Sequence, residues 1–214
     1  MKKYMVGSCA VLLCCSMGVT AWASDQEKGD YHATVNGVPL TQPIYENKDH
    51  AHMYPVRELG ELLGYEVVWD KTARNATVTV GDISAVMTPN ADTYTVNGEA
   101  VETGAAAELQ DGVLYAPSRI FTLYFPVAMQ NVANEGVVIT GLDAEGVETV
   151  TGTVKDAGNQ TLVLTLADGT ERSFSKEHAD VNLAEGLLLG SEATVYFHTD
   201  MPQEAIKIVQ PQTA

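Results

Sequence analysis

Cysteine is almost absent from this chain of 214 residues. Its three cysteines are Cys9, Cys14 and Cys15, and no other follows. Beyond this short segment, disulfide bonds, thiol nucleophiles and thiolate metal sites are therefore excluded. The rest of the chain must be held by its core alone, which is feasible at about 190 residues.

Long apolar runs are also missing, except for one near the start. Residues 5–19 form an apolar stretch of about 15 residues, shorter than the ~20 that a membrane helix needs. Two lysines precede this stretch, and Ala21 and Ala23 follow it at the positions that signal peptidase reads. We expect residues 1–23 to be a signal peptide and the protein to be secreted, with no transmembrane segment after cleavage. The leucine before Cys14 disfavours lipid attachment, which needs a small residue at that position.

Positive charge is scarce. The chain has 12 Lys and Arg against 28 Asp and Glu, a formal net charge of −16 at pH 7. Loss of Lys2 and Lys3 with the signal peptide would leave ten basic residues and a net charge of −18. The acids are scattered, which is typical of a solvated surface. Such a surface repels nucleic acid and anionic membranes, so we expect neither as a partner.

The chain does contain a pattern of hairpin, short helix and second hairpin, and it occurs twice. Each copy opens with Asn-Gly between β-type residues, at Asn36 and at Asn97, the strongest short-range signal for a type I′ hairpin. Each copy then reaches Pro-x-Arg before a helical stretch, at Pro55 and at Pro117. We therefore predict a duplicated hairpin–helix–hairpin module, an antiparallel sheet around short helices. The module is predicted to span residues 31–141. Its two repeats are predicted at about residues 31–81 and 94–141.

The helix of the first copy has clear start and stop signals. Pro55 suits the first turn of a helix because it has no N–H to leave unbonded. Leu59 and Leu63 lie on one helical face, and Gly64 can end the helix in the left-handed conformation. The second copy has Pro126 where the first has Gly64. The large side chains that we expect to be buried between the two copies are Leu59, Leu63, Trp69, Phe121 and Phe125.

The C-terminal region has a different rhythm. After a Gly-bracketed linker at residues 141–146, short strands recur at about ten-residue spacing with no helical period. This spacing predicts a small five-stranded barrel, OB-like or SH3-like, over residues 148–210. The expected strands are residues 149–154, 161–166, 171–174, 192–197 and 205–209. The whole chain is accordingly predicted to be α+β.

A set of spaced residues in the first copy matches a known family pattern. These residues are Val35, Asn36, Gly37, Pro55, Arg57, Leu59, Glu61, Leu63, Gly64, Val67, Trp69 and Asp70. In them the chain resembles the copper amine oxidase N-terminal-like domain, a module of exported Gram-positive bacterial proteins. The resemblance covers about half of the mature chain, and the second copy lacks its Leu-Gly and Trp-Asp. It implies a fold and an exported accessory role, without a cofactor, because copper and the quinone of the oxidases belong to a separate catalytic domain.

Histidines and arginines supply the first candidate site residues. His50 and His52 would face one side of a strand and could bind one metal ion, although the sequence places no third ligand. The alternative is a polar turn leading into the strand before Pro55. Arg57 and Arg119 recur at the same point of both copies. Each either binds an anionic ligand or pairs with a carboxylate or a backbone carbonyl, and we favour the structural role.

Aromatic residues supply the remaining candidates. Tyr65 and Trp69 could stack on sugar rings, but their alternation with Val67 favours packing in the core. The chain has no Gly-x-Ser-x-Gly, Walker or dinucleotide motif, and no general acid can be assigned. We therefore predict a non-enzymatic binding or scaffold protein of the cell envelope, with a wall polymer or a surface protein as its partner. The alternatives are capture of a metal or small molecule by His50 and His52, and an accessory subunit of a cell-wall hydrolase.

Overall fold

The structure is a computed structural model that describes residues 32–181, 183 and 186–210. The predicted signal peptide and the three cysteines lie outside these residues. Within the described part the protein is mostly β, with two short helices beside four sheets, which fits the α+β class. None of the helices in that part is long and apolar enough to span a membrane.

The N-terminal half consists of short strands with two seven-residue helices. In chain order its elements are β1 (Ala33–Val35), β2 (Val38–Pro39), β3 (Tyr45–Glu46), β4 (His52–Pro55), α1 (Val56–Leu62), β5 (Glu66–Asp70), β6 (Asn75–Val80), β7 (Ile83–Met87), β8 (Thr93–Val96), β9 (Glu99–Glu102), β10 (Glu108–Gln110), β11 (Val113–Pro117), α2 (Ser118–Tyr124), β12 (Val127–Val132) and β13 (Gly136–Gly141).

Three sheets are built from these strands. Their orders are β12-β13-β1-β2, β10-β11-β4-β3 and β5-β6-β7-β8-β9. In the middle sheet β4 and β11 are antiparallel neighbours, with Tyr54 opposite Ala116. These two residues each precede the proline at the start of a helix, so both helices leave the sheet from adjacent strands. The first strand, β1, pairs in parallel with β13, the last strand of this half.

The predicted hairpin turns and helix stop are confirmed by the backbone. Asn36 and Gly37 have φ of 48° and 80°, and Asn97 and Gly98 have φ of 50° and 87°. Positive φ at both central residues is what a type I′ turn requires. Gly64, just after α1, has φ of 78°, the left-handed conformation expected of it.

One core cluster joins the two helices and the sheets of the N-terminal half. Leu59 and Phe121 are fully buried in it, and Leu63 and Phe125 nearly so. The expectation for Trp69 was only partly right, because its side chain is half-buried and packs at the margin of this cluster. The margin position follows from β5 being an outer strand, since no strand of the described residues pairs with its free side.

The C-terminal half forms one antiparallel-rich sheet with its own core. Its strands are β14 (Val147–Ala157), β15 (Thr161–Thr165), β16 (Glu171–Ser175), β17 (Asp180–Val181), β18 (Glu192–His198) and β19 (Ala205–Val209), in the order β16-β15-β14-β18-β19-β17. All five expected strands are present, and the two-residue β17 adds a sixth by pairing in parallel with β19. Phe174 and Phe197 are buried in the core of this sheet.

Candidate functional site

Helix α1 forms the floor of a concavity in the described part of the chain. Val56, Leu59 and Gly60 face the core, which leaves Arg57, Glu58 and Glu61 on the outer side. Gly60 is required where α1 crosses β5, because a Cβ there would lie 2.5 Å from Cγ2 of Val67. The missing side chain lets the strand lie directly against the helix.

Strand β5 forms one wall of this concavity. It is an outer strand of its sheet, and Val68 and Trp69 both line the wall. The Val68 side chain is 52% exposed, whereas Trp69 is half-buried against the core. Lys71, in the turn after β5, adds a positive charge at the end of the wall.

The hairpin of β10 and β11 forms another wall. Leu109 on β10 is 41% exposed, and Gly112, Val113 and Leu114 continue the wall around the turn. β10 is also the outer strand of its sheet. The two walls and the floor enclose a groove of about 1120 Å³, which we call the α1–β5 groove. Its lining residues are Thr41, Gln42, Pro55, Val56, Arg57, Glu58, Glu61, Leu62, Val67, Val68, Trp69, Lys71, Ala76, Leu109, Gly112, Val113 and Leu114.

One end of the groove is closed by a carboxylate that holds a loop. Glu58 accepts hydrogen bonds from the Thr41 amide (2.6 Å), the Thr41 hydroxyl (2.6 Å) and the Gln42 amide (2.9 Å). Partial burial opposes ionisation of Glu58, but these three hydrogen bonds outweigh it, so its pKa lies below the ordinary value. The Glu58 side chain is thus an ionised structural anchor and a poor general acid.

Arg57 crosses the groove floor and has both structural partners expected of it. Its Nη1 donates to Oε1 of Glu61 at 3.2 Å and to the carbonyl oxygen of Val67 at 3.3 Å. Its side chain remains 55% exposed. The guanidinium therefore joins α1 to the outer edge of β5 and still presents part of its surface to the groove.

Two of the other predicted binding residues lie away from the groove. Tyr65 is buried, stacks on Phe125 with ring centroids 5.6 Å apart, and donates its hydroxyl to the Pro126 carbonyl at 3.3 Å. Burial, with a smaller contribution from Asp143, raises the pKa of Tyr65. Arg119 is exposed on α2 and does not line the groove. Of the four predicted binding residues, the groove brings together Arg57 and Trp69.

The two histidines do not share a strand. β4 begins at His52, whereas His50 lies in the preceding turn with φ of 58° and an 88% exposed side chain. His50 contacts the Glu46 carboxylate, and His52 lies opposite Glu46 in the β3–β4 ladder. In the described residues no group of three or more His, Cys, Asp or Glu is arranged to hold a metal ion.

The comparison with protein families identifies the family to which the N-terminal half is related. The family model described as copper amine oxidase N-terminal domain matches residues 34–140. The chain belongs to this family. No curated protein matches it. A copper amine oxidase N-terminal domain is not the catalytic domain of that enzyme, and no catalytic family is indicated for the chain.

Several residues of this copper amine oxidase N-terminal domain were missed by sequence reasoning. Val68, Lys71 and Leu109 line the groove, yet each occupies an unremarkable place in a strand or turn. Only the pairing order shows that β5 and β10 are outer strands bordering one groove. A missed residue of the C-terminal half did carry a signal: Lys207 interrupts the apolar strand Ala205–Val209 and is nevertheless buried.

Proposed function

We propose that the protein is an exported, non-enzymatic binding module of the bacterial cell envelope, and that its ligand occupies the α1–β5 groove. The observation that carries this proposal is the groove itself, an open concavity of about 1120 Å³ that Trp69, Arg57 and Lys71 all line. Ligand sites for small molecules are commonly 300–1,000 Å³ in volume. A groove at or above this range suits a segment of an extended polymer better than a single small solute.

The chemistry of the lining supports binding rather than catalysis. The two carboxylates in the groove are engaged, Glu58 with the loop at Thr41 and Glu61 with Arg57. A general acid or base must be free to exchange a proton with the substrate. The aromatic edge of Trp69 and the aliphatic walls offer stacking and apolar contact, and Arg57 and Lys71 offer charge-assisted hydrogen bonds.

The architecture we infer around this groove is a duplicated module followed by a small β-barrel. The antiparallel pairing of β4 with β11, with the equivalent residues Tyr54 and Ala116 opposite each other, supports duplication. An isolated bridge between Ser175 and Glu204, near the end of β16, supports a nearly closed C-terminal sheet. In this arrangement the module carries the ligand site and both halves serve as a scaffold.

A wall-binding experiment tests the proposal. The protein is incubated with purified cell-wall sacculi, sedimented and quantified in the pellet, for the unaltered chain and for Trp69→Ala, Lys71→Ala and Leu109→Ser. We expect each variant to lose at least about fivefold in bound fraction, because a hot-spot contact is worth more than ~1 kcal/mol. Lys48→Ala and Val38→Ser are matched controls, since both residues are exposed and outside the groove.

Two results would contradict the proposal. The first is sedimentation that no groove variant reduces relative to the controls. The second is absence of sedimentation combined with tight one-to-one binding of Zn²⁺ that the double variant His50→Ala, His52→Ala abolishes, which would favour metal capture. If the unaltered chain does not bind the wall but binds a surface protein, and the groove variants weaken that binding, the partner is a protein.

A further inference from the structure

The outer edge of β12 is the place where the two halves of the chain meet. β12 contacts both β17 and β19 of the C-terminal half. Val127 and Met129 pack on the side of the N-terminal core, and Ala128 and Gln130 alternate with them and are also buried. Both faces of this strand are thus covered, although β13 alone pairs with it.

A buried ion pair from the C-terminal half lies against this edge. Lys207 on β19 donates its ammonium to the carbonyl oxygens of Val127 (2.6 Å) and Thr122 (2.7 Å). Its Nζ is 3.4 Å from Oδ2 of Asp180, a residue of β17. The side chains of Lys207 and Asp180 are only 6% and 10% exposed. Burial raises the pKa of Asp180, and the neighbouring Lys207 ammonium and Met129 amide oppose this rise. The Oδ2 atom of Asp180 is buried and makes no hydrogen bond within the described residues.

These contacts occupy the positions that a neighbouring strand would occupy. In an antiparallel strand, residues whose N–H and C=O face one side alternate with residues facing the other. The Val127 carbonyl and the Met129 amide are therefore consecutive groups on the free edge of β12. A pairing strand would donate to the first and accept from the second. Lys207 donates to the first, and the Asp180 carboxylate lies near the second.

The contact of Lys207 with Thr122 lies at the end of α2, close to a proline. In α1 the carbonyl of Gly60, five residues after Pro55, accepts from the Tyr65 amide at 2.8 Å. Thr122 is likewise five residues after the proline that precedes α2, but the Val127 amide donates to Phe125 instead. Pro126 has no N–H to offer. The Lys207 ammonium reaches the Thr122 carbonyl at the helix C-terminus, where a positive charge is favoured.

We propose that the Lys207–Asp180 pair is an interdomain clasp, which replaces a strand at the edge of β12 and caps α2, so that the two halves of the chain act as one rigid body. A salt bridge with both members buried is weak evidence for stability, because both charges are desolvated. Here the ammonium also satisfies two backbone carbonyls of the other half, those of Thr122 and Val127. The clasp therefore specifies how the two halves dock. It is independent of any ligand in the α1–β5 groove.

Amide hydrogen exchange and ¹⁵N relaxation by NMR test the clasp in the full chain. Asp180→Leu and Lys207→Gln are the main variants, because the first removes both carboxylate oxygens and the second removes the positive charge. We expect the Met129 amide to exchange at least about tenfold faster in Asp180→Leu, and the rotational correlation times of the two halves to separate in Lys207→Gln. The Gln130 amide, which faces β13 within the sheet, should change much less.

The control is Lys155→Gln, which breaks the exposed ion pair between Lys155 on β14 and Glu171 on β16. It should alter neither the Met129 exchange rate nor the correlation times. Two measurements on the unaltered chain decide the question even if a variant does not fold. Equal correlation times in the two halves and a Met129 amide as protected as that of Gln130 support the clasp. Independent tumbling of the halves, or an unprotected Met129 amide, would overturn it.

Discussion

At the scale of single residues, the contact of α1 with β5 depends on an absent side chain. Gly60 sits in the helix interior, where glycine is unfavourable by about 1 kcal/mol relative to alanine. A Cβ at this position would meet Cγ2 of Val67 at 2.5 Å, a separation that requires something to move. Close packing of the groove wall on its floor therefore outweighs the helix propensity of the residue.

We expect Gly60→Ala to destabilise the protein by about 1–2 kcal/mol, since the cost of overpacking exceeds the gain in helix propensity. The measurement is chemical denaturation followed by Trp69 fluorescence. The double variant Gly60→Ala, Val67→Ala removes the clashing methyl group. It should lose less than the sum of the two single variants. If the losses of stability in the two single variants simply add up in the double variant, the Gly60 position and the Val67 side chain are not in steric conflict.

At the scale of elements, a loop is attached to a helix by one carboxylate. Glu58 in the first turn of α1 receives three hydrogen bonds from Thr41 and Gln42, and so holds the segment between β2 and β3 at the end of the groove. A negative charge also suits the N-terminal turn of a helix. The sequence shows a glutamate on the wet side of α1, but the loop that it binds is sixteen or seventeen residues away.

This attachment should make stability depend on pH. The folded-state pKa of Glu58 is depressed, so its contribution is fully present above the unfolded carboxyl pKa of about 4.3 and is lost as the pH falls through the lower folded value. We expect Glu58→Gln to cost about 1 kcal/mol at pH 7, a modest value because the site is partly solvated. The difference from the unaltered protein should vanish near pH 2.

Urea denaturation over a range of pH measures this difference. Glu66→Gln is the control, because Glu66 is an exposed carboxylate on β5. Its substitution should leave the pH profile of stability nearly unchanged. A Glu58→Gln curve that runs parallel to that of the unaltered protein from pH 7 to pH 2 would contradict the role assigned to this carboxylate.

At the scale of the whole molecule, charge opposes compactness. A formal net charge of −16 is spread over a surface with few cations, and self-repulsion of like charges disfavours the folded state. Three exposed acids, Glu66, Glu99 and Glu102, lie on the five-stranded sheet of β5 to β9. The buried Lys207–Asp180 pair is shielded from solvent, so salt should affect it much less.

We expect the melting temperature to rise by about 2–5 °C when NaCl is increased from about 10 to 150 mM, because salt screens the repulsion. The triple variant Glu66→Gln, Glu99→Gln, Glu102→Gln should melt higher at low salt and respond less to added salt. Differential scanning calorimetry measures both effects. A melting temperature independent of salt would show that the scattered acids are too far apart to interact.

The local signals in the sequence were sufficient for most elements of the fold. Asn36-Gly37 and Asn97-Gly98 form the predicted turns, and α1 lies between Pro55 and Gly64 as expected, because turn conformation and helix ends depend on neighbouring residues. The short β17 escaped prediction because two residues carry no periodicity. Among the residues that line the groove, the sequence singled out Arg57 and Trp69. It also singled out Tyr65, whose ring lies in the core.

The sequence by itself determined the turns, the helices, the five longer C-terminal strands and the membership in the copper amine oxidase N-terminal domain family. Tertiary structure alone decided which strands are outer ones, and therefore that Trp69 and Leu109 line the same groove. It also brought Lys207 to Val127, which lies 80 residues earlier. The physical reason is that strand order and domain docking depend on contacts between distant residues, for which a local pattern of residues carries no information.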